Sequence, residues 1–278
     1  MMRGRDVWAV AVRRPDKGIH VESHVIDSVM NRHPILAKPG LRGVIALGQA
    51  LSIGARALAI ASNQSLEEDQ RLTAGQMAFT MSIAFVVFIA IFVVGPFVGF
   101  HALHHRVQST FVLNLLEGLG RIALFVGYIW LMGRLKDVRR VFQYHGAEHK
   151  TIAAYEHDAP LDPDSVDRFS TLHVRCGTNF LLIVLILSVL VYAFVPAHGL
   201  LQGILLRVIT IPVIAGLSYE LLRLGARYER SLVMRALMAP GLWLQKITTK
   251  PPTTDQIEVA IASFNEVLRR EAEQAAAT

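Results

Sequence analysis

Long apolar runs constrain this chain more than any other feature. Residues 77–94 and 111–132 form two of them, and 178–195 and 204–222 form two more. Each comes close to the roughly 20 helical residues needed to cross the ~30 Å hydrocarbon core of a bilayer. Mean hydropathy is +0.41, and 53% of residues are hydrophobic against 18% charged, which is too apolar for an ordinary soluble enzyme. The expected fold is an all-α polytopic membrane protein with about four transmembrane helices, a small N-terminal β-hairpin and interfacial amphipathic helices.

The basic residues set the orientation. Of 28 Lys and Arg, 10 precede the first run, seven lie between Arg134 and Arg175, and eight follow Leu222. Only Arg106 lies between the first two runs, and none lies in 196–203. Basic loops stay cytoplasmic, so both termini and the 134–177 loop are placed on the cytoplasmic side of a cell (inner) membrane. The net charge of +6 then belongs to cytoplasmic loops rather than to a nucleic-acid footprint, and no phosphate-cradling glycine loop or aromatic RNA-binding motif accompanies it. The expected partners are membrane lipids, with no nucleic acid, and homo-oligomerisation is left open. A single cysteine, Cys176, excludes an internal disulfide.

Four regions follow in order. Residues 1–38 form a cytoplasmic hairpin region, in which Asp6–Val12 and Gly18–Val25 flank the turn Pro15-Asp16-Lys17-Gly18. His20 and His24 share one strand face there and read as surface residues. Residues 39–76 hold an amphipathic helix and a linker. Arg42, Gln49 and Arg56 recur every seven positions and leave a wide apolar face. A fifth span at Leu41–Ala61 would leave seven basic residues outside, so an interfacial helix is expected. Residues 77–222 form the membrane domain, with the 134–177 loop inserted, and residues 223–278 form a cytoplasmic amphipathic segment.

The loop carries the chemistry. His145, Glu148 and His149 make an H-x-x-E-H pattern. On a helix the four-residue spacing puts both imidazoles on one face, which is half of a metal site, and a neighbouring Glu suits a general base. His173 and Cys176 stand three apart just before the third span, and Glu220 lies near the cytoplasmic end of the fourth. His145, His149, His173, Cys176 and Glu220 are therefore the candidate ligands for a divalent metal, zinc best matching His, Cys and carboxylate. His145 and His149 are the pair set by helical spacing, and the third ligand is open among the other three, with His173 and Cys176 ranked ahead. Glu148 is the candidate catalytic base.

Other polar groups have structural readings. Glu117 and Arg121, spaced i, i+4 inside the second span, and Arg207 in the fourth are expected to pair within the bundle. His101, His104 and His105 cluster at an outer span end and read as interfacial. Asp158–Asp167 is an acidic, proline-broken linker with a helix cap. Trp243 and Lys246 are placed to anchor at the interface, and Asp255 caps a last helix.

Several longer motifs carry a resemblance. They are Met-Met-Arg-Gly4, Leu-Arg-Gly-Val44, Arg-Arg-Val-Phe-Gln-Tyr-His-Gly-Ala-Glu-His-Lys-Thr151, Arg-Phe-Ser-Thr-Leu-His-x-Arg-Cys-Gly-Thr178, Ser-Tyr-Glu220 and Ala-Pro-Gly-Leu-Trp-Leu-Gln245. With these the chain resembles the YqhQ-like family of bacterial membrane proteins, a domain family of unknown function described as predicted metal-dependent enzymes. Members usually carry a Gly-Gly-Gln-Ala-Val-x-Glu-Gly-Val-like stretch before the Met-Met-Arg-Gly. The resemblance therefore implies a start placed too late or a missing segment, with a first strand and an acidic site residue of the family absent from this sequence.

Three functions are weighed. The leading one is a cytoplasm-facing, metal-dependent membrane hydrolase in which Glu148 takes a proton from water, acting on a lipid-linked substrate or a membrane-proximal peptide. The second is a non-catalytic, metal-stabilised scaffold or regulator. The third, a small-solute transporter built on Glu117, Arg121 and Arg207, is weakened by the small number of spans and the lack of an internal repeat.

Overall fold

A computed structural model describes residues 1–27, 29–65, 73–102, 107, 109–173, 176–194, 199–228 and 231–277. His104, His105 and Arg106 lie outside the described residues.

The chain opens with a three-stranded antiparallel sheet in the order β1 (Met2–Arg3), β2 (Val7–Arg13), β3 (Ile19–Val25). The expected hairpin thus gains a short third strand. In its turn Lys17 takes φ +67°, and Gly18 N donates to Asp16 Oδ1 at 2.9 Å, an Asx turn that closes the strands in register. Side chains alternate across a strand, and β2 uses both faces. Ala9 packs with the last helix, whereas Trp8, Val10 and Val12 pack in a separate apolar cluster with Ile53 and Ala57.

A short helix α1 (Val29–Arg32) and a 3-10 turn at Pro34–Ala37 lead to α2 (Leu41–Ser65). Next comes α3 (Ala74–Ile89), started by a capping box between Thr73 and Gln76. It continues through a π-turn at Ala90–Val94 into α4 (Gly95–His101). Pro96 lacks an N–H and its ring crowds the preceding turn, so a locally loosened register is what lets the helix run on. The remaining helices are α5 (Thr110–Met132), α6 (Lys136–Glu156), α7 (Pro163–Asp167), α8 (Gly177–Phe194), α9 (Leu200–Arg227), α10 (Leu232–Thr248) and α11 (Thr254–Ala277).

Among the described residues, five helical stretches are long and apolar enough to cross a membrane: α2, α3 with α4, α5, α8 and α9. That is one more than expected. The addition is α2, whose Arg42 and Arg56 are too sparse in 25 residues to lower its hydropathy below that of a span. Phe79, Leu201 and Ile209 expose 68–72% of their surface, a state suited to lipid and not to water. This is the pattern of a multi-pass membrane protein.

Inside the bundle, Glu117 of α5 takes hydrogen bonds from Arg121, one turn on, and from Arg207 of α9. Arg207 Nε reaches Glu117 Oε1 at 3.0 Å, and its guanidinium lies 3.8 Å from the Phe97 ring centroid. All three charged residues are buried.

Contacts of α2 with α9 are made by backbone. A Cβ on Gly43 would stand 2.8 Å from Gly216 O, and one on Gly216 would stand 2.6 Å from Gly40 O. Glycine at both places is what allows the approach. At the same end Arg42 Nε donates to Glu220 Oε1 at 2.6 Å, and its Nη2 bonds the second oxygen. Further along, α2 leaves α9 and packs under the sheet through Ile53 and Ala57.

Candidate metal centre

Helix α6 is built to be approached closely on one side and to present chemistry on another. Ala147 and Ala154 are fully buried against Ile257, Ala260 and Ile261 of α11. Gly146 lies so near the 248–250 segment that a Cβ there would stand 2.2 Å from Lys250 O. The helix stops with Asp158 at φ +54°, where Asp158 N bonds Tyr155 O and Ala159 N bonds Ala154 O, a Schellman ending. Asp162 then caps α7 through Ser165 N at 3.0 Å. Lys150 Nζ bonds Asp167 Oδ1 at 2.9 Å, so the 157–167 connection is folded back on α6.

His145 and His149, one turn apart, face the segment that leads into α8. Their rings lie 4.4 Å apart by centroid. His145 Nδ1 is 3.0 Å from Thr248 O, and His149 Nδ1 is 2.5 Å from Thr171 O. A carbonyl oxygen only accepts, so Nδ1 carries the proton in both rings and Nε2 is left as the atom that could ligate a metal. Metal-binding histidines are usually oriented in this way by a backbone carbonyl. His145 Nε2 then meets Cys176 Sγ at 3.2 Å. One ligand atom each from His145, His149 and Cys176 falls within 4.8 Å of the others. Nitrogen at ~2.0 Å and sulfur at ~2.3 Å from a tetrahedral zinc are about 3.5 Å apart, so this donor set fits.

Cys176 precedes the first turn of α8, and Thr178 N lies 3.3 Å from Sγ. Burial pushes the thiol up, but hydrogen bonds and charge from His145 and His149 outweigh it and bring the group down to about 5. Burial likewise pushes His145 down, yet the hydrogen bond and charge of Cys176 win and leave it raised. The two form an interacting thiolate–imidazole pair.

The remaining candidates lie apart from this trio. His173 Nε2 meets Glu156 Oε2 at 3.1 Å, with its ring 5.8 Å from that of His149. Glu220 lies in the Arg42 pair and also accepts from Gly40 N at 3.4 Å. Glu148 accepts from the Met1 amino group and faces two cavities, of about 550 and 900 Å³, which also share Val141 and Tyr144.

Sequence reasoning missed the groups that orient the trio. Gln245, fully buried, accepts from His173 N and donates to His173 O and Asn179 Oδ1, each at 2.9 Å. This two-way amide clamp holds the chain on either side of Cys176. Thr248 and Thr171 act through carbonyls, which no side-chain pattern reveals. The available signal was Gly146-Ala147 inside the histidine motif, two small residues that imply a close backbone neighbour.

Residues 38–270 match the family described as "Protein of unknown function (DUF1385)". The chain is 34% identical over 288 residues to the "Uncharacterized protein YqhQ" of Bacillus subtilis (strain 168), covering 98% of this chain and 90% of that one. No solved structure matches. The chain belongs to the DUF1385 family.

Proposed function

We propose that this family member is a multi-pass protein of the cell (inner) membrane whose cytoplasm-facing His145–His149–Cys176 centre holds a divalent metal, zinc by preference, and serves hydrolysis of a membrane-proximal substrate. The observation that carries the reading is the pair of imidazoles tethered by Nδ1 to backbone carbonyls, with Cys176 Sγ 3.2 Å from His145 Nε2. Bound zinc lowers the pKa of water to near 7 and so supplies hydroxide at neutral pH. His145, His149 and Cys176 hold and orient, and Glu148, open to both cavities, takes the proton from water.

The same proposal has four crossings, with α2 lying in the interface. An odd number of crossings would put the two ends of the chain on opposite sides. Yet β2 is joined to α11 by Ser263 Oγ donating to Ala9 O at 2.9 Å and by Arg13 with Glu258 at 2.6 Å. Anchored to α9 at Gly43 and to the sheet at Ile53, α2 presents Leu51 and Leu58 outward as an interfacial helix would.

A second reading, a non-catalytic scaffold whose metal knits α6 to α8, is favoured by the burial of His149 and Cys176. Metal analysis of protein purified without chelator separates the two. Wild type is expected to carry about one zinc per chain, and His149→Ala to lose it. A hydrolase keeps its metal but loses function in cells on Glu148→Gln. A scaffold tolerates that change and loses metal and stability together on His149→Ala. Wild type with no metal, and no rise in melting temperature on added zinc, ends both.

A further inference from the structure

We infer that the substrate is an anionic membrane lipid, with its hydrocarbon chain laid in a groove that runs from the membrane domain up to His145 and Glu148. The inference rests on the proposed hydrolytic reading only for what happens at the head of the groove.

The groove, about 550 Å³, begins at the last turn of α5 with Tyr128, Ile129 and Met132, passes Val141 and Phe142 of α6 and Leu181 of α8, and ends at Glu148 and at His145, the member of the candidate trio that lines it. That volume is in the range of small-molecule sites. Its walls are open as well as apolar: Tyr128 is 45%, Val141 61% and Leu181 44% exposed. Two of the three helices are long and apolar enough to be spans, so hydrocarbon and not water is the medium at the mouth. Beside it Arg134 stacks on Trp130, 3.8 Å from the ring centroid, a pairing suited to the depth where headgroups meet acyl chains.

Charge decides the headgroup. The first turns of α6 expose Lys136, Arg139 and Arg140, with Arg134 just before them, against the single acid Asp137. Such a basic cluster beside a span draws anionic lipid. Beyond Glu148 the groove meets a larger, mostly apolar cavity of about 900 Å³, lined in part by Arg140, by Asp137 and by Arg13, which is itself paired with Glu258. A lipid in this seat has its chain along Val141 and Leu181 and its phosphate beyond Glu148, toward the exposed Arg140. The ester bonds between them then lie beside His145 and Glu148.

The test is photolabelling of the full chain in phosphatidylcholine nanodiscs doped with phosphatidylglycerol bearing an acyl-chain diazirine, followed by peptide mapping. Label is expected to concentrate on 128–142 and 178–181 and to be competed by unlabelled phosphatidylglycerol. Leu181→Trp and, independently, Val141→Gln should each lower that labelling roughly tenfold, about the factor for two methylenes denied to the groove, with zinc content unchanged. His149→Ala should lose zinc and keep the labelling, so failure of the metal reading is distinguishable from failure of this one. Label spread equally over the outer faces of α3 and α9, or equal yield from a phosphatidylcholine probe, would overturn the inference. So would preferential occupancy of the groove by a second copy of the chain.

Discussion

Glu117→Gln removes the one negative charge shared by two buried guanidinium groups. Glu117 takes both Nε and Nη2 of Arg207 on its two oxygens and Arg121 Nη2 on one, and all three residues are at most 3% exposed. Glutamine can still accept on one oxygen, but its amide would point two N–H donors at an arginine. Breaking a buried pair in this way costs about 3–5 kcal/mol, because the charge left behind has no counterion. For a chain of this size about 2 °C of melting temperature is lost per kcal/mol, so a fall of roughly 6–10 °C is expected. Thermal unfolding in detergent, followed by circular dichroism, measures it. Zinc content should not move, since the trio bridges α5 and α9 while the metal candidates sit on α6 and at the start of α8. The mechanism makes a second demand. Replacing Glu117, Arg121 and Arg207 together with methionine or leucine should recover most of the lost stability, since no unpaired charge remains. A Glu117→Gln shift below about 2 °C, or a triple variant weaker than the single one, would refute the argument.

Gly146→Ala should destabilise by about 1–3 kcal/mol and weaken zinc binding in chelator competition, because its Cβ would meet Lys250 O at 2.2 Å and push Thr248 off His145. Zinc binding should release protons between pH 5 and the raised value of His145. In that window the thiol, at about 5, is already ionised and the imidazole still holds its proton. Affinity therefore falls as pH drops through the His145 value, which an indicator-dye titration follows, and pH-independent binding would contradict it. A topology reporter after Thr278 or near Asp162 should read cytoplasmic and one at Ala197 external. An external signal at Asp162 would move the centre to the other face of the membrane.

How far the sequence discloses this molecule depends on the length scale of the force involved. Periodicity is local, so the β2–β3 hairpin around Asp16 and Gly18 and the shared face of His145 and His149 follow from spacing alone. The choice of Cys176 as the third member of the trio is not local. It depends on Gln245, some seventy residues away, gripping both sides of the His173 peptide so that the chain turns into α8 beside His145. Glu220, at the same depth but ranked behind His173 and Cys176, goes to Arg42, because Gly43 and Gly216 let α2 and α9 touch. Helix α2 shows the limit most clearly. Hydropathy measures only how apolar a segment is, and a helix lying between a sheet and lipid, as proposed for α2, must be as apolar as one that spans. What separates the two states is which neighbour each face meets. For α2 those neighbours are Trp8, Val10 and Val12, residues more than forty positions away whose alternation in β2 is itself what frees them to face it.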